Sequence, residues 1–220
     1  MQGSYDIINH NNVIIVYRAE IASFIVDEES EDAIMLKSRT RKAFGKIGNN
    51  SYVYNPFVIS HPDKISIGNN VKILDNARIS IYDVENTNES VVQIEDECYI
   101  GYNLSILALA KIHIGRKVLI ASNVLITSQN HGINPESTEY YMDQALNGKE
   151  VYIGEGSWIG EKTCILPGVN IGKKCVIGAG SVVTKDIPDY CISAGNPAKI
   201  IKQYDFEQHK WKKVDKYDNC

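Results

Sequence analysis

Aliphatic residues return along most of this chain with a period of six. Between Val151 and Val183 the series is Ile153, Ile159, Ile165, Ile171, Ile177 and Val183, without a gap. Gly follows at Gly154, Gly160, Gly172 and Gly178. The residue four places after each aliphatic one is small or β-branched: Ser157, Thr163, Val169, Cys175 and Ser181. A helix repeats near 3.6 residues and a half-buried strand at 2, so neither explains a strict six. Reading back from this run, the hexad continues in groups of three. The groups are Ile47, Val53, Ile59; Ile67, Ile73, Ile79; Ile94, Ile100, Ile106; and Ile114, Ile120, Ile126. Phase slips between groups and never inside one.

Self-similarity of this kind predicts a solenoid, and a six-residue unit predicts an all-β, parallel β-helix of about six triangular coils. Each hexad makes one short strand and one turn. The aliphatic residue points inward, and the small residue two places before the next one also fits near the axis. Gly and Asn supply the positive φ that a sharp corner requires. Three hexads close one coil, and coils stack through parallel pairing about 4.8 Å apart. No coil buries its apolar side alone, so the ends need caps.

The interruptions carry information of their own. They fall at His61–Lys64, Tyr82–Val91, Ala108–Lys111 and Asn130–Glu150, always after the third hexad of a group. All four are therefore expected to leave the prism at one corner and to stack along one edge. Long loops on a rigid scaffold are common places for binding residues, which puts the site on that edge.

Residues 1–43 do not follow the hexad and are read as an N-terminal, strand-rich cap. Val13–Tyr17 is expected to be a strand with Ile21–Val26 as its partner, and Ala33–Leu36 a further short strand. Residues 44–195 form the β-helix with its 130–150 loop. Residues 196–220 are a C-terminal tail, with a helix expected over Lys202–Val214 and with Phe206 and Trp211 packing back on the coils.

Composition changes this picture little. The 220 residues are 44% hydrophobic and 23% charged, an ordinary balance for a folded soluble domain. A formal net charge of -4 gives no support to nucleic-acid binding. No apolar run approaches membrane-spanning length. The start, MQGSYDIINHNN, has no basic segment followed by an apolar one, so a cytoplasmic protein is expected. The five cysteines include no CxxC pair; Cys98 and Cys175 fall at small inward positions, and all are read as reduced thiols.

The run GEGSWIGEKTCILPGVNIGKKCVIGAGSVVTKDIPDYCISAGNPAKII closely resembles the hexapeptide-repeat acyltransferases. That group includes the galactoside, maltose, serine, xenobiotic and capsular-polysaccharide O-acetyltransferases. The resemblance covers roughly residues 44 to 202. It implies a left-handed β-helix, a homotrimer, and acyl-CoA bound between adjacent prisms. It further implies that His131, in Ser128-Gln129-Asn130-His131-Gly132, is a general base. An imidazole titrates near neutrality and can take the proton of an acceptor hydroxyl as its oxygen attacks the thioester of acetyl-CoA. An isolated His at a loop root is otherwise a structural residue. His10, His61, His113 and His209 are read as structural or surface groups, and no three histidines converge as a metal site would need.

The same resemblance assigns the acyl-CoA contacts. Ala179 and Gly180 stand for the backbone beside the pantetheine arm, with Gly160 as a further candidate. Thr184 and Lys185 stand at the nucleotide end. Lys199 and Lys202 occupy places where relatives often carry Arg near the CoA phosphates; surface lysines are the plainer reading of these two. Trp158 lines the acceptor or pantetheine pocket. It lies a full wall past His131, some five residues or roughly 16 Å of strand, which suggests that it meets the His131 of another subunit. On the acceptor side, Asn130, Tyr140, Tyr141, Asp143 and Gln144 are candidates to hold a sugar or glycan, and are equally compatible with loop packing. Gly101 replaces a hydroxyl-binding Asn of the galactoside and maltose enzymes, so their acceptor set does not transfer. The implied activity is O-acetylation of a sugar hydroxyl, with no metal. The alternatives are another acceptor (a sugar amine, serine or an antibiotic) and a non-catalytic β-helix scaffold or glycan-binding module.

Overall fold

The computed structural model describes residues 7–10, 13–16, 43–82 and 90–214. Three parallel walls run along it. Wall 1 carries Lys46–Ile47, Ile65–Ile67, Val92–Ile94, Ile112–Ile114, Val151–Ile153 and Asn170–Ile171. Wall 2 carries Tyr52–Val53, Lys72–Ile73, Tyr99–Ile100, Leu119–Ile120, Trp158–Ile159 and Val176–Ile177. Wall 3 carries Val58–Ser60, Arg78–Ile81, Ser105–Ala108, Leu125–Thr127, Cys164–Ile165 and Val182–Val183.

The hexad register is the structural register. Ile67 pairs with Ile94, Ile94 with Ile114, Ile114 with Ile153 and Ile153 with Ile171 down wall 1. Ile73, Ile100, Ile120, Ile159 and Ile177 stack in the same way down wall 2, and Ile59, Ile79, Ile106, Ile126, Ile165 and Val183 down wall 3. From Ile59 onward these side chains are almost wholly removed from water. Ile47 and Val53, in the first coil, are only partly covered.

The second inward position divides by chemistry. In the middle coils it holds Val71, Ala77, Leu104, Val118 and Val124, all buried. Where it holds a hydroxyl, the oxygen bridges to the next coil. Ser157 donates to Gly172 O at 2.8 Å and accepts from Cys175 N at 2.9 Å. Ser51 does the same with Gly68 O and Val71 N. Buried hydroxyls are tolerated here because backbone partners are always one coil away.

The corners refine one sequence argument. The positive φ falls three residues after the aliphatic one, at Asn50, Asn70, Asn76, Asn103 and Asn123, and also at Lys117, Lys162 and Lys174. The glycine directly after the aliphatic residue has another cause. A Cβ at Gly160 would lie 2.6 Å from the backbone N of Ala179 in the next coil, so the coils stack only if the position is bare.

Both ends are finished by antiparallel pairing. Val13–Val16 is a strand, as expected. It pairs with Ile7–His10 and with Val58–Ser60, closing the edge of wall 3. The expected partner 21–26 and the expected strand 33–36 lie outside the described residues. At the other end the sequence reading is corrected. No helix forms over Lys202–Val214. Instead Cys191–Gly195 joins wall 2 beside Val176–Ile177, and Ala198–Asp205 and Lys210–Lys213 add two antiparallel strands to it. An open wall edge offers a ladder of unpaired N–H and C=O groups, and that pairing outweighs local helix preference. Asp205 closes the turn by accepting the backbone N–H groups of Glu207 and Gln208, each at 2.8 Å. Phe206 meets Tyr190 of the last coil edge-on with ring centres 4.8 Å apart. Trp211 packs against Tyr204, inside the hairpin.

Candidate active site

Each interruption of the hexad lies between a wall-3 strand and the next wall-1 strand, so all four share one edge. His61 has φ 48° and opens a short 3-10 turn over Pro62–Lys64. The small bulge at Leu109–Ala110 is held from the coil that follows it. Ser128 Oγ donates to Ala110 O at 2.6 Å and accepts from Leu109 N and Ala110 N, both at 3.1 Å. Ser128 is fully buried and its own backbone N donates to Leu107 O. The bulge is thereby a pedestal under the root of the long loop.

The long loop rises from this pedestal as a hairpin. Gln129–Asn130 pairs antiparallel with Asn147–Gly148. The ladder is extended below by Lys149 N to Ser128 O at 2.9 Å and above by Gly132 N to Ala145 O at 3.0 Å. His131 therefore sits in the stem, one residue past the strand, and is exposed. Gly132 is bare because a Cβ there would lie 2.8 Å from both Cβ and Oε1 of Gln144.

Gln144 takes the loop-packing alternative in this structure. It is buried, and its carboxamide is occupied within the loop. Oε1 accepts from Asn134 N at 3.0 Å, and Nε2 donates to Asn134 O and Glu139 O at 3.0 and 3.1 Å. It clamps the loop. Tyr140, Tyr141 and Asp143 are exposed on the same loop, as is Asn130 at its root.

The remaining candidates divide between two other places. Trp158 is half exposed on the outer face of wall 2, in register with Leu119 before it and Val176 after it. It is on a different wall from His131. Gly160, Ala179 and Gly180 share the edge between walls 2 and 3: Gly160 N donates to Ile177 O at 2.8 Å and Gly180 N to Glu161 O at 2.7 Å. Gly180 has φ +70° and nothing within 4 Å of where a side chain would begin. Its bareness comes from conformation, and it leaves the backbone there open to a ligand. Ser181 Oγ, accepting from Gly195 N at 3.1 Å, ties this edge to the C-terminal hairpin. On that hairpin Lys199 pairs with Ala194, and Lys202 with Ile192 and Lys213. Thr184 and Lys185 are exposed just past Val183, on the His131 edge, two coils further along or roughly 10 Å by strand spacing.

Sequence reasoning missed the holding residues. Ser128 is part of the quoted motif but its bonds to the bulge were invisible, because they join residues eighteen apart. The outer column of wall 2, with Tyr99, Leu119 and Trp158 in register and each more than two-fifths exposed, was legible only as the position before each inward aliphatic residue. Wall 1 carries charge instead: His113 Nε2 lies 3.0 Å from Glu95 Oε1, and Arg116 Nη2 lies 2.6 Å from Glu155 Oε1. The backbone N–H of Asn69 holds the Asp96 carboxyl below the usual range. Among the described residues no three His, Cys, Asp or Glu side chains gather as a metal cluster, and no helix is long and apolar enough to cross a membrane.

A three-walled parallel β-helix with an exposed His on the loop of one edge and small residues along another defines a class. The family description "bacterial transferase hexapeptide (six repeats)" matches residues 150–185, and "hexapeptide repeat of succinyl-transferase" matches residues 91–128. A relative in Escherichia coli, named for a lipopolysaccharide biosynthesis O-acetyl transferase, is 34% identical over 165 residues, covering 72% of this chain and 82% of that protein. The galactoside O-acetyltransferase of Lactococcus lactis is 31% identical, over 80% of this chain and 72% of its own. A Saccharomyces cerevisiae protein with an acetyltransferase name is 46% identical over 114 residues, a match that spans only 57% of its length. A crystal structure of a serine-to-cysteine mutant of AntD, an N-acyltransferase from Bacillus cereus, in complex with dTDP-4-amino-4,6-dideoxyglucose and coenzyme A, superposes with a TM-score of 0.64 at 22% identity. It covers 79% of this chain and 90% of that one, a likeness of fold. The chain belongs to the hexapeptide-repeat acetyltransferase family, and its fold is the left-handed parallel β-helix of that family.

Proposed function

We propose that this protein transfers an acetyl group from acetyl-CoA to a hydroxyl of a sugar, as part of a surface glycan or its precursor. The reading is carried by one observation. The imidazole of His131 is exposed on a hairpin stem that is itself pinned to the scaffold through Ser128, so a base is presented on a rigid support. The relatives named as O-acetyltransferases supply the direction of the chemistry.

In the reaction His131 accepts the acceptor's hydroxyl proton as the oxygen attacks the thioester carbonyl. The C–O bond forms, the C–S bond breaks, and the imidazolium returns the proton to the departing thiolate. A positioned base contributes about 10²–10⁴-fold. Ala179 and Gly180 border the pantetheine arm, with Gly160 beneath them. Lys199, Lys202, Thr184 and Lys185 serve the phosphate-bearing end. Trp158 shapes the pocket in a homotrimer in which one subunit's wall 2 faces the next subunit's His131 edge. The setting is the cytoplasm, and no metal takes part.

CoA thiol release from acetyl-CoA is the test, with sugars, glycans, amines, serine and antibiotics as acceptors. Release that requires a hydroxyl acceptor and falls at least a hundredfold in His131→Ala is expected. Release with amines alone would replace the acceptor class. No release, together with no acetyl-CoA binding by calorimetry, would leave a scaffold. Mixing His131→Ala with Trp158→Ala subunits is expected to restore part of the activity if the site is shared; no recovery would place both residues in one subunit's site.

A further inference from the structure

One buried polar atom near the loop root is unexplained by packing. Gln129 Oε1 is shielded from water and has no hydrogen-bond partner. Leaving such an acceptor bare costs about 1–3 kcal/mol, and native structures seldom do so without a reason.

The hairpin ladder says where this side chain points. Its pairs are Ser128 with Lys149, Gln129 with Gly148, Asn130 with Asn147, and Gly132 with Ala145. The same register sets His131 opposite Leu146. Side chains alternate across a strand, so Gln129 and His131 project from one face of the stem. Gly148, opposite Gln129, has no side chain to fill that face. A Cβ on Gly148 would meet Ala110 and Leu109 of the pedestal at 3.1 and 3.2 Å. The Gln129 backbone is fixed by its neighbour. Thr127 Oγ1 donates to Gln129 O at 3.0 Å and accepts from Gln129 N at 3.2 Å. The one ionisable side chain in the ladder besides His131 is Lys149. By the same alternation it lies on the other face, and it runs over Gly168.

We infer that Gln129 is a positioning residue for His131: its carboxamide oxygen accepts one imidazole N–H, leaving the other ring nitrogen free to take the acceptor's proton. The inference rests on His131 being the base. Which ring nitrogen is protonated is set by what the other one bonds. Gln129 Oε1 has no partner as placed, and the bond forms on rotation of the two side chains. Catalytic hydrogen bonds commonly tighten only when substrate is bound. A preorganised partner also stabilises the imidazolium as it forms.

The experiment compares wild type, Gln129→Met, Gln129→Glu and His131→Ala in the acetyl-CoA thiol-release assay across pH, with thermal melts of each. Gln129→Met keeps the length and removes the acceptor. It is expected to lower kcat about tenfold with KM within twofold, and to leave the melting temperature level or higher, because the bare oxygen is gone. Gln129→Glu places a carboxylate beside the imidazole, favours its charged form, and is expected to move the acid limb of kcat/KM to higher pH by about one unit. A role in folding alone would lower the melting temperature and leave that limb in place. Unchanged kcat in Gln129→Met with an unmoved limb in Gln129→Glu, while His131→Ala is inactive, overturns the inference. Full activity in His131→Ala overturns instead the reading on which it rests.

Discussion

The walls and the 128–150 excursion are two regions of one chain held by different physics. A wall position is fixed by repetition. Ile120 is between Ile100 and Ile159 in the ladder, and each is inside because its neighbours are. The stem of the excursion is fixed by a few singular contacts: Ser128 on the Leu109–Ala110 bulge, Gln144 across the loop, and bare glycines at Gly132 and Gly148. Repetition gives stability that is spread over many equivalent sites. Singular contacts give placement, and losing one loses the geometry with little effect on the fold. An enzyme on a solenoid needs both, since the coils alone present no converging groups.

The largest way to break this contrast is to hollow a wall. Ile120→Ala removes a wholly buried side chain between two neighbours and is expected to cost about 2–5 kcal/mol, read by denaturant unfolding. Activity per folded molecule is expected to hold; a selective loss of turnover would show that walls and site are not separable. Ser128→Ala comes next. It strips three hydrogen bonds from the pedestal and leaves the part-buried N–H groups of Leu109 and Ala110 bare, for about 1–3 kcal/mol. Here kcat is expected to fall more than stability predicts, with Ser128→Thr restoring part of it. A loss confined to the melt would make Ser128 an ordinary core residue.

A smaller effect separates buried from exposed chemistry within the walls. Burial pushes the Cys98 thiol up from 9.0 to about 11. A pKa raised in the folded state favours folding below the unfolded value and loses that contribution as pH climbs through the folded one. Stability is therefore expected to decline between about pH 9 and 11, and Cys98→Ala to flatten part of that decline in melts across the range. Cys191, raised likewise to about 11, accounts for a further part. The smallest effect belongs to the outer face of wall 1. Arg116→Gln removes the ion pair with Glu155, both groups being well exposed, and is expected to leave the melting temperature unchanged at physiological salt. A clear drop would mean that this belt is covered in the assembled protein.

The N-terminal and C-terminal ends show how far pattern reading reaches. Ala198–Asp205 alternates between half-buried and exposed as far as Tyr204, but with Ile201 exposed and Lys202 half-buried the sequence carries no matching alternation of apolar and polar residues. What made it a strand was the free edge of Cys191–Gly195 beside it, a partner no local window contains. The motif around His131 was legible as chemistry, and Gly132 as part of it. The reason for Gly132 was not legible, because its neighbour Gln144 lies twelve residues away across a loop without periodicity.

The sequence by itself determined the period, and with it the three walls, their register, the inward set and the edge from which every interruption leaves. A strict repeat leaves one way to bury its aliphatic positions, so spacing is enough. Tertiary structure alone decided the rest. It placed Gln144 inside the loop and set Ser128 on the bulge. It also turned the C-terminus into two more strands of wall 2. Those outcomes depend on which backbone groups and side chains meet across long separations, and hydrogen-bond satisfaction between distant segments has no period to read.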